Sequence, residues 1–297
     1  MDVGVVIPAF NAAPYVGRAI ESVLAQTVAP SRVVVVDDGS VDETAMVVES
    51  FGRGVICVRQ ENRGVAAARN RGARESGTEW VAFLDADDVW LPTKLERQWG
   101  RVGGSSAGAV FTAVELVAED LTPIARGPVS EVRDDLAALL LHGATIPQGT
   151  SSTLLVRYSI FTGIGGYDET LSTMADWDLL IRLRLRTRFA HVLEPLVLYR
   201  RGTMSRNVEL LEHDSVRILQ KAFSSLDIPL PVRGLRRRCL AWNDLVLSGS
   251  YLSAGSYARA VTLGVRSVLR DPTLAGRIVG SPFRRLRRCR SGQATVV

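Results

Sequence analysis

Through its first hundred residues the chain alternates short, continuous apolar runs with stretches of helical length, and that alternation leaves few folds open. The runs Val3–Ile7, Arg32–Val36, Val55–Arg59 and Trp80–Leu84 predict strands. Helices are predicted from about Pro14 to Ala25, Val41 to Ser50, Val65 to Glu75 and Thr93 to Arg101. Strands that are apolar on both faces and return through helices make a parallel sheet covered on both sides, with right-handed crossovers. Ser40 with Glu43 three residues on has the form of a capping box, and Pro14 and Pro92 suit first helical turns. The unusual polar residues fall at or just past strand ends: Pro8 to Asn11, Asp37 to Ser40, Glu61 to Gly64 and Asp85 to Asp88. In an open parallel sheet the carboxyl ends of the strands lie along one rim, where ligands bind. Four loops therefore converge on one crevice.

The last of these loops belongs to the stretch VAFLDADDVW, Val81 to Trp90. Three carboxylates just beyond a buried strand repel one another unless a cation or hydrogen-bond donors hold them. In an extended backbone Asp85 and Asp87, at i and i+2, point to the same side. Two hard oxygen ligands suit Mg²⁺ or Mn²⁺, with waters and phosphates completing the shell. A solvated acidic turn ahead of a helix opened by Pro92 is the plainer alternative. Arg69 adds a cation to the same rim. A pocket carrying carboxylate, amide and guanidinium groups suits a nucleotide, with carboxylate to ribose or base and metal to diphosphate.

Composition excludes some classes. Hydrophobic residues make up 46% and charged residues 23% of the 297, as in soluble globular proteins. No apolar run approaches the roughly 20 residues that span a bilayer. The start Met1-Asp2 runs straight into a strand, so no signal peptide is expected. Cys57, Cys239 and Cys289 are too scattered for a disulfide framework or zinc site, and a reduced cytoplasmic setting is expected. The net charge of +5 is uneven. Between Arg233 and Arg290 stand thirteen arginines against Asp244 and Asp271, a balance of +11 that leaves the remainder at −6.

In order and spacing, IPAFNAAPYVGRAIESVLAQT, VVVVDDGSVDET, NRGVAAARNRG and FLDADDVW resemble the family 2 glycosyltransferases, and the resemblance extends from about Val3 to Arg201. It implies a GT-A-type α/β fold: a mainly parallel sheet flanked by helices, here with a helical, basic C-terminal appendage. The implied organisation is a glycosyltransferase domain over residues 1–207, divided into a nucleotide-sugar-binding half (1–101) and an acceptor-binding half (102–207), and an Arg-rich helical region over 208–297. By the same resemblance Pro8, Phe10, Asn11, Asp37, Asp38, Asn62, Arg69, Asp85 and Ala86 line the nucleotide site. Asp85 and Asp87 form the metal-linked pair for Mn²⁺ or Mg²⁺, Asp87 being the more direct ligand, and Asp88 supports the pair or charges a helix start.

A second segment, GIGGYDETLSTMADWDLLIRLRLR from Gly163 to Arg186, resembles the family's acceptor side. There Asp176 matches the general base. Ala175 stands where the family usually has Glu, which puts any role of that Glu in doubt. Asp178, two residues on, points elsewhere on a helix. Trp177, Arg200 and Arg201 are candidates for contact with diphosphate or acceptor. One base opposite one leaving group implies a single displacement with inversion, moving one sugar from a nucleoside-diphosphate donor, UDP by preference, to an acceptor hydroxyl. The acceptor is a saccharide, a lipid-linked sugar or a small molecule. The processive members' Gln-x-x-Arg-Trp motif is missing, so one sugar is transferred at a time. A sugar nucleotidyltransferase would need a Gly-rich, basic loop that PAFNAAPY lacks. A non-catalytic nucleotide-sugar-binding protein or scaffold is the other alternative, argued against by Asp87 and Asp176.

The middle and end of the chain say less. A strand is expected over Gly108–Val114, loop or irregular strands over Glu115–Ser130, and a helix over Asp134–Leu141, with His142 as a cap or surface residue. Helices follow over Val208–Phe223, Leu235–Ser253 and Tyr257–Leu269. The segment SPFRRLRRCR, with Phe283 and Leu286 interleaved, reads as a solvated tail or a contact with an anionic membrane surface at the inner face of the cell membrane. No motif reads a nucleic acid, and none is expected as partner.

Overall fold

The computed structural model describes residues 1–103, 106–126, 136–142, 151–200 and 207–276. The side chain of His142, Arg201 and the basic tail with Cys289, Phe283 and Leu286 lie outside the described residues. The chain divides into two compact units, one of Met1–Asp135 with Pro147–Met204, the other of Leu136–Ile146 with Ser205–Val297.

The first unit opens with β1 (Val3–Ala9), α1 (Ala13–Leu24), β2 (Arg32–Asp37), α2 (Thr44–Glu49), β3 (Ile56–Arg59), α3 (Val65–Ser76) and β4 (Trp80–Phe83). It continues through β5 (Val89–Trp90), α4 (Lys94–Val102), β6 (Ala107–Val117) and β7 (Pro123–Arg126). After α5 (Leu136–His142), which belongs to the second unit, come β8 (Leu155–Arg157), α6 (Tyr158–Gly163), α7 (Ala175–Arg184) and β9 (Arg188–Arg200). The strands form one sheet in the order β3-β2-β1-β4-β8-β6-β9-β5, with β7 beside β6.

Its first four strands are parallel, Val5 facing both Val33 and Ala82. Beyond β4 the sheet is mixed, less parallel than expected: β8 runs antiparallel to β4 and β6, and β9 is parallel to β6 but antiparallel to β5. The reason is where the chain enters. Each of β1 to β3 returns through a helix, whereas β8 follows a 3₁₀ turn, Ser151–Thr153, and starts at Leu155 opposite Ala82. It therefore begins near the end of β4 and runs back. Strand β6 also continues three residues past its expected end, pairing with β7 as a hairpin where loop or irregular strands were expected.

Valines of β1 and β2, with Trp80 and Leu84, pack against Val16, Ile20 and Val23 of α1 on one face. On the other lies α3, whose small residues let it approach closely. A Cβ on Gly72 would stand 2.2 Å from Val6 Cγ1, so only glycine fits. This seats Arg69 and Asn70, both buried, against the sheet. Helix α4 is less ordinary. Lys94 is completely buried, its ammonium 3.5 Å from the centre of the Trp90 ring and, among the described residues, without a hydrogen-bond partner. Burial pushes its pKa well down.

Two local expectations fail. Ser40 and Glu43 form no capping box, because α2 starts at Thr44 and Ser40 Oγ instead accepts the Asn11 N–H at 2.9 Å. Pro92 precedes α4 rather than opening it, since Thr93 is the capping residue.

The second unit holds α8 (Val208–Ser224), α9 (Leu230–Arg233), α10 (Arg236–Ser253) and α11 (Tyr257–Arg270). Leu247, Tyr251, Ala260 and Leu263 form an apolar cluster. Hydroxyls of Ser248 and Ser267 bond carbonyls of Ala260 and Ala241, tying α10 to α11. Buried Asp244 accepts from Arg266 at 2.6 Å and Arg270 at 2.5 Å. Among the described residues no helix is long and apolar enough to cross a membrane.

Candidate active site

The rim after β1 and β2 is held by its own polar side chains. Asn11 takes a left-handed backbone, φ +48°, which a short amide side chain tolerates. Its Oδ1 accepts the Val41 N–H at 3.0 Å, tying the first loop to the second. Asp37, fully buried, accepts the Ser40 N–H at 2.9 Å and lies 3.0 Å from Arg59 Nε. Asp38 accepts from Gln60 Nε2 and from the N–H groups of Arg63 and Gly64, at 2.7 to 2.9 Å. It therefore braces the loop bearing Asn62, which is exposed. Pro8 is buried in β1, while Phe10, half exposed, offers a ring face at the rim.

The acidic stretch is a turn, which corrects the same-side argument for Asp85 and Asp87. The Asp88 N–H bonds the Asp85 carbonyl at 3.0 Å, folding the chain back at Ala86 and Asp87. The turn draws the like-charged carboxylates closer than an extended strand would, so each is held by partners of its own. Asp85 Oδ1 is 2.6 Å from Arg69, and its N–H bonds Ser152 Oγ at 3.0 Å. Asp88 is buried; it accepts the Ser152 hydroxyl at 2.5 Å and the Arg200 N–H at 3.1 Å. Burial and then Asp85 and Asp87 push its pKa well up. Asp88 thus braces the turn from beneath rather than charging a helix start. Arg200 donates to the Asp87 carbonyl at 2.5 Å, and its guanidinium lies 5.1 Å from the centre of the Tyr15 ring.

Across from this turn stands Asp176, in the first turn of α7, about a third exposed. Its Oδ1 accepts the Ser151 hydroxyl at 2.6 Å and Arg69 at 3.1 Å. One buried guanidinium therefore bridges Asp85 and Asp176. Burial alone would discharge Arg69, but the two carboxylates outweigh it and raise its pKa. For Asp176, burial raises the pKa, Arg69 opposes and Asp85 adds; the result is upward. A carboxylate moved toward neutrality is better suited to accept a proton. Asp178 faces elsewhere, bonding Arg182, which also donates to the Ile164 and Gly166 carbonyls. Trp177, beside Asp176 on α7, is buried.

Sequence reasoning missed the turn Ser151–Thr153 and Asn70. Ser151 holds Asp176 and the Tyr167 hydroxyl, the latter at 2.6 Å; its neighbour Ser152 holds Asp85 and Asp88. The Ser152 carbonyl accepts the Trp90 indole N–H at 2.9 Å. Two adjacent hydroxyls thus fix the acidic turn and the opposing carboxylate together. Asn70 exchanges bonds with the Tyr167 backbone at 2.8 and 2.9 Å, clamping the Gly165-Gly166 turn onto α3. Gly166 has φ +67°, and a Cβ there would come 2.5 Å from Asn70 Oδ1. The paired glycines were the one available signal.

Among the described residues no three His, Cys, Asp or Glu make a closed metal cage. The donor set still fits a hard divalent cation: oxygen-only groups on a turn where Asp85 and Asp87 raise the pKa of Asp88. Such an ion would draw its remaining ligands from water and phosphate.

A mixed sheet flanked by helices, with an acidic turn at its rim and a carboxylate opposite, is the arrangement of a GT-A glycosyltransferase. It is similar in fold to Staphylococcus aureus TarS 1–349 in complex with UDP (TM-score 0.59, 16% identity, 92% of each chain). A second structure of the same fold is the mannosyltransferase PcManGT from Pyrobaculum calidifontis in complex with GDP-Man and Mn²⁺ (TM-score 0.63, 18% identity, 95% of this chain and 80% of that one). The family model described as Glycosyl transferase family 2 matches residues 4–161. The chain belongs to that family of glycosyltransferases. Its relatives include an uncharacterized glycosyltransferase of Rickettsia prowazekii (strain Madrid E), 31% identical over 188 residues, 60% of this chain and 57% of that one. Another is the putative teichuronic acid biosynthesis glycosyltransferase TuaG of Bacillus subtilis (strain 168), 34% identical over 140 residues, 45% of this chain and 56% of that one. The chain thus spans less than two thirds of the length of these relatives.

Proposed function

We propose that the chain is an inverting, metal-dependent transferase that moves one sugar from a nucleoside-diphosphate donor, UDP-linked by preference, to an acceptor hydroxyl. The observation that carries this reading is the pair of carboxylates on either side of Arg69: Asp85 in the acidic turn, Asp176 opposite it. Asp176 takes the proton of the acceptor hydroxyl as that oxygen attacks the anomeric carbon. With its pKa raised, it is a stronger base than an ordinary carboxylate, and Arg69 beside it opposes that rise. No second carboxylate needs to form a glycosyl-enzyme, which favours inversion. A divalent cation held by Asp87 with Asp85 would neutralise the leaving diphosphate. In this reading Phe10, Asn11 and Asn62 receive the nucleoside, with Pro8, Asp37, Asp38 and Ala86 shaping the loops beneath. Arg200 is committed to the acidic turn and sets its backbone; Arg201 is the candidate for contact with diphosphate or acceptor.

The catalytic domain is taken as residues 1–207 and the helical region as 208–297. The acceptor is a saccharide, lipid-linked or small-molecule hydroxyl in surface polysaccharide or glycoconjugate synthesis, on the cytoplasmic side of the membrane. Structures of this fold carry both UDP and GDP-Man, so the donor is decided by experiment. Binding and hydrolysis of UDP-, GDP- and dTDP-sugars are measured with and without Mn²⁺ or Mg²⁺, for the wild type and Asp87→Asn. Metal-dependent binding or slow hydrolysis of one donor, lost in the variant, is expected. Folded protein that binds none of them would overturn the reading.

A further inference from the structure

Helix α11 is apolar on two faces. The inner one, Ala260, Leu263 and Gly264 with Ser267, packs in the second unit. The outer one carries Tyr257, Val261, Val265 and Leu269, exposed by 67, 65, 55 and 70%. Spaced four apart, these side chains lie one above another along the helix. Of the other exposed residues on α11, Ala258 and Thr262 are uncharged, and Arg259 is tied to Glu212 at 2.6 Å. A helix of a soluble protein normally turns charge toward water, and a continuous apolar stripe over its whole length marks a surface that something covers.

Charge selects the occupant. The stretch from Arg233 to Arg290, which contains α11, carries thirteen arginines against two acids. Among the described residues, Arg236 and Arg237 are exposed and make no ion pair with a carboxylate. A second copy docking through the same stripe would bring two such basic regions together, and like charges oppose that contact. An RNA or DNA would satisfy the arginines but leave the four apolar side chains wet. A bilayer containing anionic lipid satisfies both: acyl chains take the stripe, headgroups take the arginines, and an interfacial tyrosine suits one end.

We infer that the outer face of α11 is a membrane-docking surface, with Tyr257, Val261, Val265 and Leu269 entering the headgroup–acyl boundary of an anionic leaflet. This goes beyond a contact made by the basic tail and is independent of the catalytic reading, since every residue lies in the helical unit. Apolar burial and basic charge are two weak signals that together hold a protein at a surface, where either alone is marginal.

The test uses the full chain and sedimentation with vesicles of phosphatidylcholine alone or with about 30% phosphatidylglycerol, a composition that gives a surface potential of the kind described for anionic leaflets. Wild type is expected to bind the anionic vesicles, weakly to the neutral ones, and less as salt rises. The pair Val261→Ser and Val265→Ser should bind about tenfold more weakly, from the apolar area lost, with the melting temperature unchanged. Val261→Leu with Val265→Leu should bind more tightly, which a merely structural role would not produce. Three results would overturn the inference. Wild type that ignores anionic vesicles does so outright. If the serine pair binds like wild type while neutralising Arg284, Arg285, Arg287 and Arg288 abolishes binding, the tail alone makes the contact. If light scattering shows a dimer that the serine pair dissolves, a second copy covers the face. Donor binding by the same variants reports separately on the catalytic reading.

Discussion

The molecule gathers buried and partly buried carboxylates in two places and treats them in opposite ways. At the rim of the sheet, Asp85 and Asp176 share the single guanidinium of Arg69, and among the described residues Asp88 has one hydroxyl and one backbone N–H. In the helical unit the ratio is reversed. Asp244 takes two arginines, and Glu212 takes Arg259 and the Tyr251 hydroxyl. The pKa directions follow: Asp88 and Asp176 go up, whereas at Glu212 burial pushes up but the donors outweigh it and the pKa goes down. Carboxylates supplied with enough donors act as staples. Those left short of positive charge are the ones proposed to meet the donor and its cation.

The strongest way to break this comparison is to remove one carboxylate of each kind. Asp176→Asn should lower kcat by about a thousandfold, within the span of a lost general base, while donor binding measured by calorimetry stays near wild type. Asp244→Asn should do the reverse, leaving turnover intact and costing about 2 kcal/mol in a denaturant melt. That figure is below the usual value for a broken buried pair because Arg266 and Arg270 are each about a third exposed and can turn to water.

How much of this was readable from the chain depends on how local the cause is. Continuous apolar runs announced β1 to β4, and the helix expected from Val65 to Glu75 is α3. The acidic turn was visible, but not its shape, because the bond from the Asp88 N–H to the Asp85 carbonyl overrides the extended geometry assumed for two carboxylates two apart. Asp38 read as a ligand group and is found bracing a loop, since three donors from residues 60 to 64 reach it first. The Ser151–Thr153 turn left no trace at all. Serines and threonines in a row look like any polar connection, and their meaning arises only when chain segments some 65 residues apart close on them.

Smaller effects sharpen the comparison. Ser151→Ala removes a hydroxyl that holds the Asp176 pKa down. The acid limb of the pH profile of kcat/KM should move to higher pH, with a few-fold loss of rate at neutral pH, as suits one hydrogen bond. Asp178→Asn, away from the rim, should leave that limb where it is. Acidification should then separate the two units. Groups with raised folded pKa values, Asp88 and Asp176, contribute stability that is complete below their unfolded pKa and is lost as pH rises through the folded one. Glu212, with a lowered pKa, contributes stability that is present above its unfolded pKa and is lost as pH falls through the folded one. Between neutral pH and the ordinary carboxylate range, hydrogen exchange should therefore slow in β1 to β4 relative to α10 and α11. Equal responses in both would remove the distinction.

The contact between Lys94 and Trp90 has an optical consequence. An amine against the face of an indole alters the emission of that ring according to whether it carries a proton, and the same indole N–H bonds the Ser152 carbonyl, whose hydroxyl holds Asp88. Trp90 is thus a built-in fluorophore wired to the floor of the acidic turn. Whatever settles on that turn is announced in the protein's own ultraviolet light, with no label attached.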